Sequence, residues 1–261
     1  MVLLRERHDS VEVLTMNRPA SANALDPQLL SELSRAFEDI DHNDDVRVVV
    51  LTGSGERHFC AGMDLAAFSA GPDESGEANE SASGGSRGRS PLELFQRPCT
   101  KPLIAAVNGV AVGGGFELVL ACDMVVAVEG ARFGLPEVRR GLIAGGGGTL
   151  LGTRIPLALA LEVALTGELV EVERASQWGL VNQVVPRREL MDSALQLAAA
   201  VAANGPLAVR TTKKLMRRAV TEHPIGGWGS SEEIAAVFQS EDAREGAMAF
   251  LEKRAPVWKG R

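Results

Sequence analysis

The chain is short of cysteine, of histidine and of basic charge, and each shortage argues against a class of function. Cys60, Cys99 and Cys122 are an odd set without a C-x-x-C pair, which speaks against a disulfide-stapled secreted scaffold and for a reducing, cytoplasmic setting. The four histidines stand singly at 8, 42, 58 and 223, with no H-E-x-x-H, so zinc chemistry lacks its usual signature. There is no G-x-G-x-x-G for a dinucleotide and no Gly-Lys for a phosphate loop. Acids outnumber bases 34 to 27, a net charge of −7, so nothing in the global field favours nucleic acid or an anionic lipid surface. The apolar run before Arg5 is only Val2-Leu3-Leu4 after Met1, too short for a signal-peptide core, and export by that route is not expected. The most apolar stretch, 103–121, has the length of a bilayer crossing but contains Asn108, Glu117 and glycines at 109 and 113–115. A buried strand, turn and helix fit it better.

The 261 residues, 45% hydrophobic and 23% charged, describe one large globular domain or one domain with a small appendage. Glycine is over-used, 28 of 261 against a usual ~7%, so backbone must approach something closely or turn sharply in several places. Periodicity predicts a strand at 11–16 and a helix opening at Asp26-Pro27, with Leu29, Leu30, Leu33, Phe37 and Ile40 on one face. A strand buried on both faces is expected at 46–51. A second unit holds a strand at 103–107, turn glycines, a helix over 114–122 and a strand over 123–128. After Arg154 the pattern is mostly helical, at 156–165, 173–178, 187–203, 206–221, 230–239 and 241–254. The Gly, Ser and Glu-rich segment 69–90 reads as a mobile surface loop. Its Gly84-Gly85-Ser86-Arg87-Gly88 matches a hydrolase nucleophile elbow, but without the strand and helix that the elbow needs, so the match is ascribed to chance.

Three glycine-flanked segments remain: 59–65 around Ala61-Gly62-Met63-Asp64, 108–117 ending in Gly113-Gly114-Gly115-Phe116-Glu117, and 133–137 ending in Pro136-Glu137, followed by the glycine run 145–148. Glycines at a strand-helix junction can serve close packing alone, Met63 can fill core, and Glu117 can be a carboxylate favoured by a helix start. The sharper reading is that they let backbone N–H groups at a helix N-terminus project at a ligand oxygen. Glu117 would then lie one turn inside the same helix. A carboxylate among Phe116, Leu118, Val119 and Leu120 is costly unless it is paired or protonated.

Taken together, these residues resemble the crotonase, or enoyl-CoA hydratase/isomerase, superfamily. The likeness runs from Asn17-Arg18-Pro19 and Asn23-Ala24-Leu25 to Phe250-Leu251-Glu252-Lys253-Arg254. The resemblance implies an α/β fold, a spiral of ββα turns over residues 1–200, and a C-terminal helical region, 201–261, used in oligomerisation as a homotrimer or dimer of trimers. It implies an enzyme, a hydro-lyase of fatty acid β-oxidation that reversibly adds water syn across the trans-2 double bond of an enoyl-CoA to give a 3-hydroxyacyl-CoA. By position, the amides of Met63 and Gly114 would form the oxyanion hole, Glu117 would activate the water and Glu137 would deliver the proton to C2. Ala24, Ala61, Gly62, Asp64, Leu65, Gly113 and Leu142 would surround the acyl thioester, and Phe250 and Lys253 would reach the CoA. No metal and no cofactor beyond the CoA of the substrate is implied, nor any nucleic-acid or membrane partner.

Relatives that only shift a double bond often lack one of the two acids, so the pair favours a hydratase; the alternative is an isomerase, or a dehydratase of a carnitinyl, branched or bulky acyl-CoA. A binding protein without turnover is disfavoured, because it has no need of two buried carboxylates. Two features depart from the short-chain pattern: the segment from Asp64 to Lys101 looks longer than usual, and Arg139-Arg140 after the acid looks like hydratases of carnitinyl, branched or bulky substrates.

Overall fold

The β-branched runs become strands in the computed structural model, which describes residues 1–64, 94–95, 99–221 and 232–261. In chain order the first part is β1 (Leu3–His8), β2 (Val11–Met16), α1 (Pro27–Asp41), β3 (Val48–Gly53), β4 (His58–Cys60), β5 (Leu103–Val107), β6 (Val110–Val112), α2 (Gly114–Ala121), β7 (Met124–Val128) and β8 (Arg132–Gly134). There follow α3 (Leu151–Arg154), α4 (Leu157–Thr166), β9 (Val170–Glu171), α5 (Val172–Gln177), β10 (Gln183–Val185), α6 (Leu190–Ala202), α7 (Pro206–Thr221), α8 (Glu232–Gln239) and α9 (Glu241–Glu252).

Among the described residues the strands form two sheets, ordered β1-β2-β3-β5-β7-β10 and β4-β6-β8-β9. In the larger one β1 is antiparallel to β2 and the rest are parallel. Every residue of β3 and β5 is buried, as uninterrupted apolar strands covered on both faces require. Each of the pairs β3/β4, β5/β6 and β7/β8 sends its first strand to the large sheet and its second to the small one, which makes the chain a spiral. Because β4, β6 and β8 are mutually parallel, the segments that leave them, 61–64, 113–117 and 135–141, emerge on the same side. The three glycine-flanked motifs are therefore neighbours in space although far apart in sequence.

The helices follow their local signals. Asp26 caps α1 by accepting the Leu29 N–H at 2.7 Å, Pro27 occupies the first turn, and Leu29, Leu30, Leu33, Phe37 and Ile40 are buried. On α6 the buried residues are Leu190, Ala194, Ala198 and Ala202, an i, i+4 stripe of mostly small side chains that lets the helix lie against β3, β5 and β7. The tail closes on the helical region: Trp258 Nε1–H donates to Ala203 O at 2.7 Å, and the Asp242 carboxylate accepts the N–H groups of Lys259 and Gly260 at 2.7 and 2.9 Å.

Several expectations need correction. β1 was not foreseen, because its polar LLRERH face is an exposed edge. β4, β6 and β8 have three residues each, too few for a period of two to show. The last third is mostly helical, as expected, but it also contributes β10, which joins the large sheet beside β7. The stretch 103–121 is strand, turn, strand and helix, and among the described residues no helix is long and apolar enough to cross a membrane. The three cysteines are free and buried, and burial pushes the Cys60 and Cys122 thiols up to about 12. The segment 69–90, with its 84–88 match, lies outside the described residues.

Candidate active site

Two backbone amides come together where β4 and β6 end. After Cys60 the chain pairs with residues 22–25: Ala61 N–H donates to Ala22 O at 3.0 Å, Leu25 N–H to Gly62 O at 2.8 Å and Asp64 N–H to Leu25 O at 3.0 Å. These bonds make Leu25 and Met63 a parallel bridge. In such a bridge the residue between the two bonded neighbours turns its own N–H away from the partner strand, so the Met63 amide faces away from Leu25. The start of α2 lies beside it, since a Cβ on Gly114 would sit 3.6 Å from Met63 N and 3.1 Å from Leu25 Cδ1. Gly114 is the first residue of α2, and its N–H belongs to the turn without partners inside the helix, at the positive end of the helix dipole. Gly115 permits this approach, for a Cβ there would stand 2.1 Å from Cys60 O. Two such preorganised donors stabilise an oxygen that gains negative charge during a reaction.

Glu117 sits one turn into α2 and is only 4% exposed. Its Oε1 accepts the N–H groups of Gly147 and Gly148 at 2.7 and 2.8 Å, charge-assisted bonds that offset the cost of taking a carboxylate out of water. The glycine run supplies this cradle by coming very close: a Cβ on Gly146 would lie 2.9 Å from Glu117 Oε2 and 2.7 Å from Phe95 Cδ2.

Glu137 stands on a 3₁₀ turn over Pro136–Arg140. Gly113, at φ +55°, makes room for it, because a Cβ there would stand 2.9 Å from Glu137 Oε1. Its Oε2 is buried without a hydrogen-bond partner among the described residues. Burial holds the Glu137 carboxyl above the ordinary carboxylate range and the charge of Glu117 adds to the effect; Glu137's own backbone N–H and Arg140 oppose it. Arg140 lies three residues on, and in a 3₁₀ helix that spacing places it on the same edge as the acid. A carboxylate held by N–H donors near a carboxyl biased toward its neutral form is an arrangement suited to paired general base and general acid work.

The structure thus brings Met63, Gly113, Gly114, Glu117 and Glu137 together, with Ala61 and Gly62 in the same loop. Met63 is not core filler, since the residue is 45% exposed. The Asp64 carboxylate is engaged by Arg18 Nη2 at 3.3 Å, and Ala24 O accepts from Arg18 Nη1, so both help to build the loop. Leu142 follows the acid, with its N–H donating to Glu137 O at 3.1 Å, and its side chain is partly exposed. Leu65 lies outside the described residues. Phe250 and Lys253 stand exposed at the end of α9, which packs on α8 and carries neither glutamate.

Sequence reasoning gave no role to Arg18, Phe95, Gly147 or Gly148, although four glycines in succession were a visible signal. Asn23 and Asn108 are a further pair of this kind. Both side-chain amides donate to His58 O, at 3.0 and 3.2 Å, and so fix the turn that launches β4.

A double-sheet spiral with two amide donors and two glutamates at one set of strand ends defines the crotonase class. The chain belongs to the enoyl-CoA hydratase/isomerase family, whose profile matches residues 6–261. It is 41% identical to the carnitinyl-CoA dehydratase of Citrobacter koseri, with 98% of this chain and 97% of that protein covered. Among solved structures it resembles the enoyl-CoA hydratase of Mycobacterium tuberculosis H37Rv (TM-score 0.85, 42% identity, 100% and 99% of the two chains covered). The enoyl-CoA hydratase of Bacillus anthracis is also similar (TM-score 0.86, 34% identity, both chains covered in full).

Proposed function

We propose that the protein is an enoyl-CoA hydratase that reversibly adds water, syn, across the trans-2 double bond of an enoyl-CoA. Glu117 takes a proton from water as its oxygen bonds to C3. The electron pair of the double bond moves onto the thioester oxygen, which the amides of Met63 and Gly114 hold as an enolate. Glu137 then gives its proton to C2. Atoms balance with one water added and no electrons exchanged, so the reaction needs no cofactor beyond the CoA of the substrate. The observation that carries this reading is the contrast between Glu117, held by Gly147 and Gly148, and Glu137, raised by burial beside it.

The dehydration of carnitinyl-CoA is the second reading, favoured by the 41% identity to the Citrobacter koseri enzyme; it runs the same steps in reverse on an acyl group with a bulky cationic end. Assembly as a homotrimer or dimer of trimers, through the region 201–261, is also proposed. Its support is the apolar group Met248, Phe250 and Leu251 near the end of α9, exposed by 49%, 83% and 74%, beyond what isolated surface residues require. Phe250 and Lys253 would then serve the CoA of a neighbouring copy.

Loss of the enoyl-thioester ultraviolet absorbance, followed with trans-2-enoyl-CoAs of increasing length, tests the main reading. Turnover on a straight-chain member supports it and sizes the pocket. Turnover confined to carnitinyl-CoA replaces it with the second reading, and a shifted double bond without added water overturns both.

A further inference from the structure

The Met63 amide takes its direction from the Leu25–Met63 bridge, and one side chain grips both strands of that bridge. Arg18 is largely buried, with 18% of its side chain exposed. Its Nη1 donates to the carbonyl of Ala24, the residue before Leu25. Its Nη2 reaches Asp64, the residue after Met63, at 3.3 Å and Asp26, the residue after Leu25, at 3.1 Å. The Arg18 backbone N–H donates to Asn23 Oδ1 at 3.0 Å, which fixes the base of the same clasp. Asp26 in turn holds the first turn of α1 through Leu29 N–H.

We infer that Arg18 is a positioning residue for the oxyanion hole, its guanidinium clamping residues 24–26 to Asp64 so that the Met63 N–H is aimed beside Gly114 before substrate arrives. The planar fork of arginine fits this task, because three acceptors on two strands need separated, directional donors that a single ammonium does not present. Charge-assisted bonds sheltered from solvent hold such geometry more firmly than surface pairs do. Displacement of a catalytic group by as little as 1 Å costs about 10²-fold in rate. This inference rests on the enoyl-CoA hydratase reading.

The test uses the full-length protein with Arg18→Lys and Asp64→Asn, made separately and together. Two readouts are taken. One is the split between kcat and KM. The other is the red shift of the absorbance of a bound dienoyl-CoA, which reports how strongly the thioester carbonyl is polarised. The expected result is a fall in kcat of about tenfold to a hundredfold for each single variant, with KM changed by less than about threefold, and a smaller red shift. The double variant falls by little more than either single one, because both act on one contact. Asp64→Asn keeps shape and an acceptor oxygen, so it remains informative if Arg18→Lys folds poorly. Folded variants with the wild-type kcat and the full red shift overturn the inference while leaving the hydratase reading intact. A wild-type protein that neither hydrates any enoyl-CoA nor shifts the probe overturns the hydratase reading, and the inference with it.

Discussion

Glu117 and Glu137 are the same chemical group in two opposite settings. Glu117 stands on a helix, buried, with two glycine N–H groups on one oxygen. Glu137 stands on a single 3₁₀ turn with a buried oxygen that no described residue bonds. The first setting gives a carboxylate donors to replace water; the second withdraws water and offers a neighbouring negative charge. The difference teaches that backbone placement, not residue type, decides what surrounds a carboxyl group, and on the proposed reading it is what separates base from acid.

The largest expected effect comes from erasing each side of this contrast. Glu117→Gln and Glu137→Gln should each lower kcat for hydration by about 10²–10⁴-fold, the range for a lost general base or acid. Exchange of the C2 proton of a saturated acyl-CoA with deuterated solvent should separate them: it persists in Glu117→Gln and is lost in Glu137→Gln. The opposite pattern would exchange the two roles.

A smaller loss should follow from disturbing only the cradle. Gly146→Ala puts a Cβ within 3 Å of both Phe95 and Glu117, and overpacking of this kind costs about 1–3 kcal/mol of stability. Denaturant unfolding should show that loss, and kcat should drop about tenfold, a misplacement smaller than the 10²-fold case. Unchanged kcat would mean that the glycine run packs the helix without orienting the base.

The pH dependence sharpens the other side. If Glu137 acts as the acid in hydration, kcat/KM falls as pH rises through its raised titration point. Arg140 holds that point down, so Arg140→Gln should move the alkaline limb to higher pH, less so at high salt because Arg140 is exposed. A limb that stays in place or moves down would remove Arg140 from the setting of the acid.

The smallest effect is on stability. An acid raised in the folded state binds its proton more tightly than in the unfolded chain, so folding stability falls as pH rises from the unfolded to the folded titration point. Glu137→Gln removes this penalty. It should therefore melt slightly above wild type at neutral and higher pH, and level with it below the unfolded carboxylate's titration point. Thermal melts across that window check the sign.

Much of the large sheet was legible in the sequence, because β3, β5 and β7 hold apolar runs of four or five residues, rich in β-branched side chains, that fit a doubly covered strand. So was α1, with its cap, proline and apolar face. The small sheet was hidden: β4, β6 and β8 are too short for periodicity, and they exist because parallel neighbours hold them. For the candidate site, Glu117 could be singled out as a carboxylate in an apolar helix and Gly114 as a glycine at its start. The donors to Glu117 could not, since Gly147 and Gly148 reach it across about thirty residues of chain and nothing local announces their target. Arg18 was hidden for a related reason. A loop arginine before a proline looks like any solvated cation until Asp26 and Asp64, brought from separate segments, close on it.

The most direct measurement is a difference-infrared titration of the Glu137 carboxyl in the unliganded protein, its band assigned by loss in Glu137→Gln and followed again in Glu117→Gln. The predicted result is a midpoint above that of an exposed glutamate, moving down when the charge of Glu117 is removed. A midpoint at or below the ordinary value, or one indifferent to Glu117, would contradict the assignment of Glu137 as the acid of the pair.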